Sequence, residues 1–210
     1  MSERRYFVVG DIHGCYSKLK RLLERLDWTP GGDDLLIFLG DYIDRGPQSY
    51  EVVDTLVDLA GRAPNVVTLM GNHEDMFLQF ISGQISPPLH DNGFSATIRN
   101  YTLPDRNLSL EHLRFLHGLL PCFETDQYIF VHAGLRPGLP LASQNLLDML
   151  WIRDEFLKSD YDFGRLVVFG HTPFKQPFMA PGRLGLDTGA VFGGPLTCVV
   201  LPELRFITAD

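Results

Sequence analysis

Short apolar runs and one helical stripe give the first picture of this chain. Tyr6–Val9, residues 35–39, residues 66–70, Tyr128–Val131 and Leu166–Phe169 are brief and rich in β-branched or aromatic side chains. Each ends at glycine or a polar residue, the pattern of buried strands. Between the first two runs, Leu19, Leu22, Leu23 and Leu26 fall at i, i+3, i+4 and i+7. That spacing predicts an amphipathic helix over residues 18–26, and a similar helix is predicted over 49–60. After Gly170 the texture changes. Residues 185–192, 195–201 and 204–208 read as successive strands joined at Gly193-Gly194 and Pro202-Glu203, a β-meander. An alternating α/β front half with a strand-rich end predicts a layered α/β sandwich with two sheets. Residues 76–120 fit neither period. Their 83–93 portion, with Pro87-Pro88, reads as loop, and the remainder as helices of a cap-like segment.

The chain has 210 residues, 45% of them hydrophobic, enough for one sizeable core, so a single domain over 1–210 is expected. Its apolar runs fall far short of the roughly 20 residues a membrane-spanning helix needs. No membrane partner is expected. The first residues lack the apolar region of a secretory leader, which makes a cytoplasmic location the expectation. Cys15, Cys122 and Cys198 are an odd count without CxxC spacing, so neither a disulfide framework nor a zinc–thiolate site is indicated. A formal charge of −8 argues against nucleic acid as a partner, because a phosphate backbone needs a concentrated basic surface. An acidic chain that handles phosphate requires a local positive source, and bound metal ions can be that source.

Five motifs stand where predicted strands end: Gly10-Asp11-Ile12-His13-Gly14, Gly40-Asp41-Tyr42-Ile43-Asp44-Arg45-Gly46, Gly71-Asn72-His73-Glu74, His132-Ala133-Gly134 and Gly170-His171-Thr172. In open α/β sheets the carboxyl ends of strands face one crevice, so these turns can converge. Singly, Asp-x-His or Asn72 would read as a turn residue and each histidine as a hydrogen-bonded strand-end residue. Together they offer carboxylate, amide and imidazole donors without thiolate, a set suited to Mn, Fe or Zn. Asp11 and His13 can grip a first ion, and Asn72, His132 and His171 a second, with Asp41 able to bridge. Asp187-Thr188-Gly189 reads as a turn that supports this site.

These motifs, in this order, resemble the phosphoprotein phosphatase branch of the calcineurin-like metallophosphoesterases, with the bacterial and phage-type serine/threonine phosphatases most alike. The resemblance implies a four-layer α/β/β/α sandwich with two mixed sheets. It implies two divalent cations, Mn²⁺ with Fe or Zn as alternatives, one held by Asp11, His13 and Asp41 and the other by Asp41, Asn72, His132 and His171. It further implies a hydroxide shared by the two cations as nucleophile, since metal binding brings a water pKa from 15.7 to about 7, roughly 12 kcal/mol. His73 is then expected not to ligate but to protonate the leaving oxygen as general acid, oriented by Asp44. Arg45 offers a planar fork for phosphoryl oxygens, and Arg153 resembles the second phosphate-binding arginine.

On this reading the substrate is a phosphorylated protein or a small phosphate ester, with a serine/threonine phosphatase as the first expectation. Hydrolysis of dinucleoside polyphosphates is the alternative. It ranks second because the symmetrical diadenosine tetraphosphatases usually lack an acidic residue at the place of Asp44 and are longer. No counterpart of the eukaryotic phosphatases' aromatic-bearing loop is found after Gly170-His171-Thr172.

Overall fold

The computed structural model describes residues 4–86 and 93–210. Pro87-Pro88 and most of the predicted 83–93 loop lie outside the described residues. The first half alternates strand and helix: β1 Tyr6–Val9, α1 Tyr16–Arg25, β2 Leu35–Phe38, α2 Ser49–Arg62 and β3 Val66–Thr68, followed by α3 Asn72–Ile81, α4 Phe94–Tyr101 and α5 Leu110–His117. The second half comprises β4 Cys122–Glu124, β5 Tyr128–Val131, α6 Leu146–Trp151, α7 Asp154–Leu157, β6 Leu166–Phe169, β7 Phe178–Ala180, β8 Arg183–Gly185, β9 Leu196–Leu201 and β10 Arg205–Ala209.

Two mixed sheets result, ordered β10-β9-β1-β2-β3 and β4-β5-β6-β8-β7. Strands β1, β2 and β3 run parallel, as do β5, β6 and β8. The antiparallel strands lie at the sides, β9 and β10 in the first sheet and β4 and β7 in the second.

The period-two alternation of each strand assigns its side chains to different layers. On β1, Phe7 and Val9 join Leu19, Leu22, Val52 and Leu56 in a core between sheet and helices. Val8, between them, faces Phe130, Val168, Leu184 and Val199 in a second core shared by the two sheets. On β5, Ile129 and Val131 turn away from that core and pack with Met149, Ile152 and Phe156 from the region of α6 and α7. Three cores separate four layers, helix, sheet, sheet and helix, as the resemblance implies.

The predicted meander is corrected. Residues 185–192 are not a strand: β8 stops at Gly185, and Ala190–Phe192 form a short 3-10 turn. Gly189, at φ 69°, breaks the extended path. β8 belongs to the second sheet, whereas β9 and β10 form a hairpin on the edge of the first. Among the described residues no helix is long and apolar enough to cross a membrane.

Candidate metal centre

Six strands deliver side chains to one place from their carboxyl ends, as parallel strands in such sheets do. β1 leads to Asp11 and His13, β2 to Asp41, β3 to Asn72, β5 to His132, β6 to His171 and β8 to Asp187. The loops are stitched by main-chain bonds. Ile12 and His13 donate to Asp41 O at 3.0 and 2.8 Å, Gly14 to Tyr42 O at 2.8 Å, and Gly170 to His132 O at 2.7 Å. His13, Asp41, Asp44, Arg45 and His171 all adopt left-handed backbone, with φ of 45°, 54°, 70°, 65° and 62°. Non-glycine residues rarely do so, and such strain persists where surrounding structure enforces it, often at functional sites. Gly170 is required for a different reason: a Cβ there would lie 2.1 Å from Asp11 Oδ1.

Two groups of possible ligand atoms share Asp41. One comprises His13, Asp41 and His73, the other Asp41, His132 and His171, each with its ligand atoms within 4.8 Å of one another. Asn72 Oδ1 joins the second, 3.0 Å from His132 Nε2 and 2.9 Å from His171 Nδ1. Asp11 stands outside both groups, its oxygens accepting the His171 N–H at 3.1 and 3.0 Å. His73, expected to act as an acid and not as a ligand, has its imidazole in the first group, with Nε2 4.0 Å from Asp41 Oδ2 and Nδ1 2.6 Å from Asp44 Oδ2.

The imidazoles are prepared as lone-pair donors. His13 Nδ1 donates to Ile43 O at 2.8 Å and His132 Nδ1 to Leu39 O at 2.9 Å, leaving each Nε2 on the cluster side. Burial pushes His13 down to about 3 and His171 to about 2, and lowers His132, so these rings are neutral at pH 7. His132 Nε2, Asn72 Oδ1 and Asp41 Oδ1 thus converge with lone pairs facing one another, the last at 3.4 Å from Nε2. A cation between them reconciles that arrangement, so the residues fit divalent metal. Burial also raises the Asp11 carboxyl, and Asp187 and Asp41 raise it further. Asp187 itself is pushed up to about 6, chiefly by burial. For His73, burial opposes the charge, but Asp41 and Asp44 outweigh it and its pKa is raised.

Two contributors, Glu74 and Thr97, carry no role in the motif reading, and a third, Asp187, sits in the turn read as supporting the site. Glu74 is fully buried and accepts four main-chain N–H groups: Asp41 at 2.9 Å and Gly71 at 3.1 Å on Oε2, Tyr42 at 2.8 Å and Ile43 at 3.2 Å on Oε1. It fixes the loop that presents Asp41. Its place at the end of Gly71-Asn72-His73-Glu74 was the available signal. Replacing Glu74 by Gln keeps the shape but sets an amide NH₂ against two of those donors. A loss of about 3 kcal/mol is expected, a fall of roughly 6–12 °C in melting temperature. An unchanged melting curve would remove Glu74 from this role. Thr97 on α4 donates to Asp44 Oδ1 and accepts the Asp44 N–H at 2.9 Å, with no sequence signal to announce it. Asp187 faces the same carboxylates from the turn that followed β8.

Both arginines reach the cluster, from different loops. Arg45 Nη1 contacts His13 Nε2, and Arg45 N–H donates to Gly93 O at 3.0 Å beside α4. Arg153 Nε donates to His171 Nε2 at 3.1 Å. Each thus lies against one of the two groups. Beyond the last motif, Phe192 is 66% exposed, with Arg45 Cζ 5.5 Å from its ring centroid.

Comparison with known proteins places the geometry in context. The model of the calcineurin-like phosphoesterases matches residues 4–204. An asymmetrical bis(5'-nucleosyl)-tetraphosphatase, PrpE of Geobacillus sp. (strain WCH70), is 30% identical over 96% of this chain and 92% of its own. A crystal structure provisionally named a diadenosine tetraphosphatase superposes with TM-score 0.77 at 25% identity, covering 98% of this chain and 93% of that one. A cold-active protein-tyrosine phosphatase of a psychrophilic Shewanella shares the fold, with TM-score 0.68 at 20% identity over 99% of this chain and 78% of its own.

Proposed function

The chain belongs to the calcineurin-like phosphoesterase family, and within it we propose a dinucleoside polyphosphate hydrolase that splits a diadenosine tetraphosphate-type anhydride. It is a metal-dependent phosphoester hydrolase by family. The observation that carries the finer reading is the likeness to PrpE along nearly the whole of both chains. The chain spans 92% of that relative, an asymmetrical enzyme, whereas the length difference concerns the symmetrical ones. The paired arginines agree with an extended polyphosphate, because each stands against one of the two ligand groups.

In this reading Asp11, His13 and Asp41 would hold one cation, and Asp41, Asn72, His132 and His171 would hold the other. When bound, two divalent cations supply Lewis acidity and lower the pKa of water at the site. The chain's own residues do the rest. Arg45 and Arg153 hold phosphoryl oxygens by charge-assisted hydrogen bonds. His73, held by Asp44 at 2.6 Å, gives a proton to the departing oxygen. Glu74 keeps the Asp41 loop in register.

A protein phosphatase is the second reading, favoured by the His73–Asp44 pair, since a serine alkoxide leaves poorly without a proton whereas a polyphosphate leaves readily. The two separate in one panel: metal-free protein reloaded with Mn, Fe or Zn, assayed on diadenosine tetraphosphate, a phosphopeptide and an aryl phosphate. The tetraphosphate is expected to give the highest kcat/KM, with AMP and ATP as products. A preference for the phosphopeptide, with little tetraphosphate turnover, would overturn the proposal.

A further inference from the structure

Phe192 is an exposed ring on a turn that is firmly held. The turn opens at Gly189 and closes at Gly193, with φ of 69° and 94°. Phe192 N–H and Gly194 N–H both donate to Gly189 O, at 2.8 and 2.9 Å. The Thr188 hydroxyl donates to Pro195 O at 2.6 Å, and Lys18 Nζ to Gly194 O at 2.6 Å. None of these hydrogen bonds uses the Phe192 ring, which meets Arg45 on one side and is 66% exposed. An aromatic ring held on a rigid turn, lining a cavity and set against an arginine of the site, is placed to meet a ligand.

The surroundings identify that ligand. Arg45 lies against the ring, 5.5 Å from its centroid to the guanidinium carbon. Beside it opens a cavity of about 450 Å³, lined by Pro173, Phe174, Lys175, Thr188 and Gly189. The cavity is also lined by Phe192 itself, and Pro173 and Thr188 stand two residues after His171 and one after Asp187 in the chain. Its volume is that of a small-molecule pocket. Phosphate at the cluster and at Arg45, followed by a flat apolar group on an aromatic face, is the layout of a nucleoside 5'-phosphate. Aromatic rings bind nucleobases by stacking, whichever base is offered.

We infer that Phe192 is the platform on which a nucleobase of the substrate stacks while the adjoining phosphate lies at Arg45. This rests on the dinucleoside polyphosphate reading and adds the residue that recognises the nucleoside. Stacking tolerates any base, so adenine is not required.

AMP and ribose 5-phosphate differ only in the base, and their binding to manganese-loaded protein, measured by calorimetry, isolates the platform. Wild-type protein is expected to bind AMP roughly tenfold more tightly. In Phe192→Ala the two should bind alike, ribose 5-phosphate as in wild type, and Phe192→Trp should restore the preference. Equal affinities in wild type, or a preference that survives in Phe192→Ala, would overturn the inference. Turnover of diadenosine tetraphosphate is scored separately. Turnover with a preference that survives in Phe192→Ala sinks the platform alone, and a preference lost in that variant without turnover sinks the proposed substrate alone.

Discussion

Replacing Asp41 by asparagine is expected to cut turnover of every phosphate ester and anhydride by about a thousandfold or more, and to leave at most one manganese ion per chain. Asp41 is the residue common to both ligand groups, with Oδ2 3.4 Å from His13 Nε2 and Oδ1 3.4 Å from His132 Nε2. An amide removes the negative charge that draws both cations and can offer only one oxygen. Losing even about 4 kcal/mol of metal-derived stabilisation corresponds to roughly a thousandfold in rate. The fold should survive, because the asparagine oxygen can still accept the His73 N–H that Asp41 Oδ1 accepts at 3.1 Å. Metal content by elemental analysis and the melting temperature of the chelated protein check both halves. Full activity with two bound ions in the variant would exclude Asp41 as the shared ligand.

His73→Asn separates proton donation from metal binding. The ring is almost wholly buried, tied to Asp44, and edge-on to His13 at 4.7 Å between centroids. A general acid contributes about 10²- to 10⁴-fold where the leaving oxygen needs a proton. Turnover of an alkyl phosphate should therefore fall by that range, and turnover of a nitrophenyl phosphate far less. Diadenosine tetraphosphate, whose leaving group is itself a phosphate, should follow the nitrophenyl ester. Equal losses on all three would remove His73 from the proton-donor role and favour a part in metal binding, where its membership of the first ligand group already puts it within reach.

The parts of this molecule that chemistry constrains were the legible ones. Strands such as Tyr128–Val131 are buried on both faces and have little freedom in composition, so the run itself marks the strand. The loops after them could be found because Asp11, His13, Asp41, Asn72, His132 and His171 are recognisable only as a set, and the set was complete. Residues 185–192 misled because Leu186, Ala190, Val191 and Phe192 imitate a strand while the backbone turns at Gly189 to bring Asp187 to the cluster. That misreading also hid Phe192 as an exposed loop aromatic. The hairpin of β7 and β8 escaped notice because each strand has three residues, and Met179 is exposed. Thr97 acts on Asp44 through hydrogen bonds across a long sequence separation, which no local pattern encodes, whereas Glu74 was marked by its place in Gly71-Asn72-His73-Glu74 but its main-chain partners were not.

Everything in the proposed chemistry depends on two cations standing side by side among loops from both sheets. Anomalous diffraction from manganese-loaded crystals measures that directly. Two peaks are expected, one among Asp11, His13 and Asp41 and the other among Asp41, Asn72, His132 and His171. A single peak, or peaks away from Asp41, would contradict the dinuclear centre and the mechanism built on it.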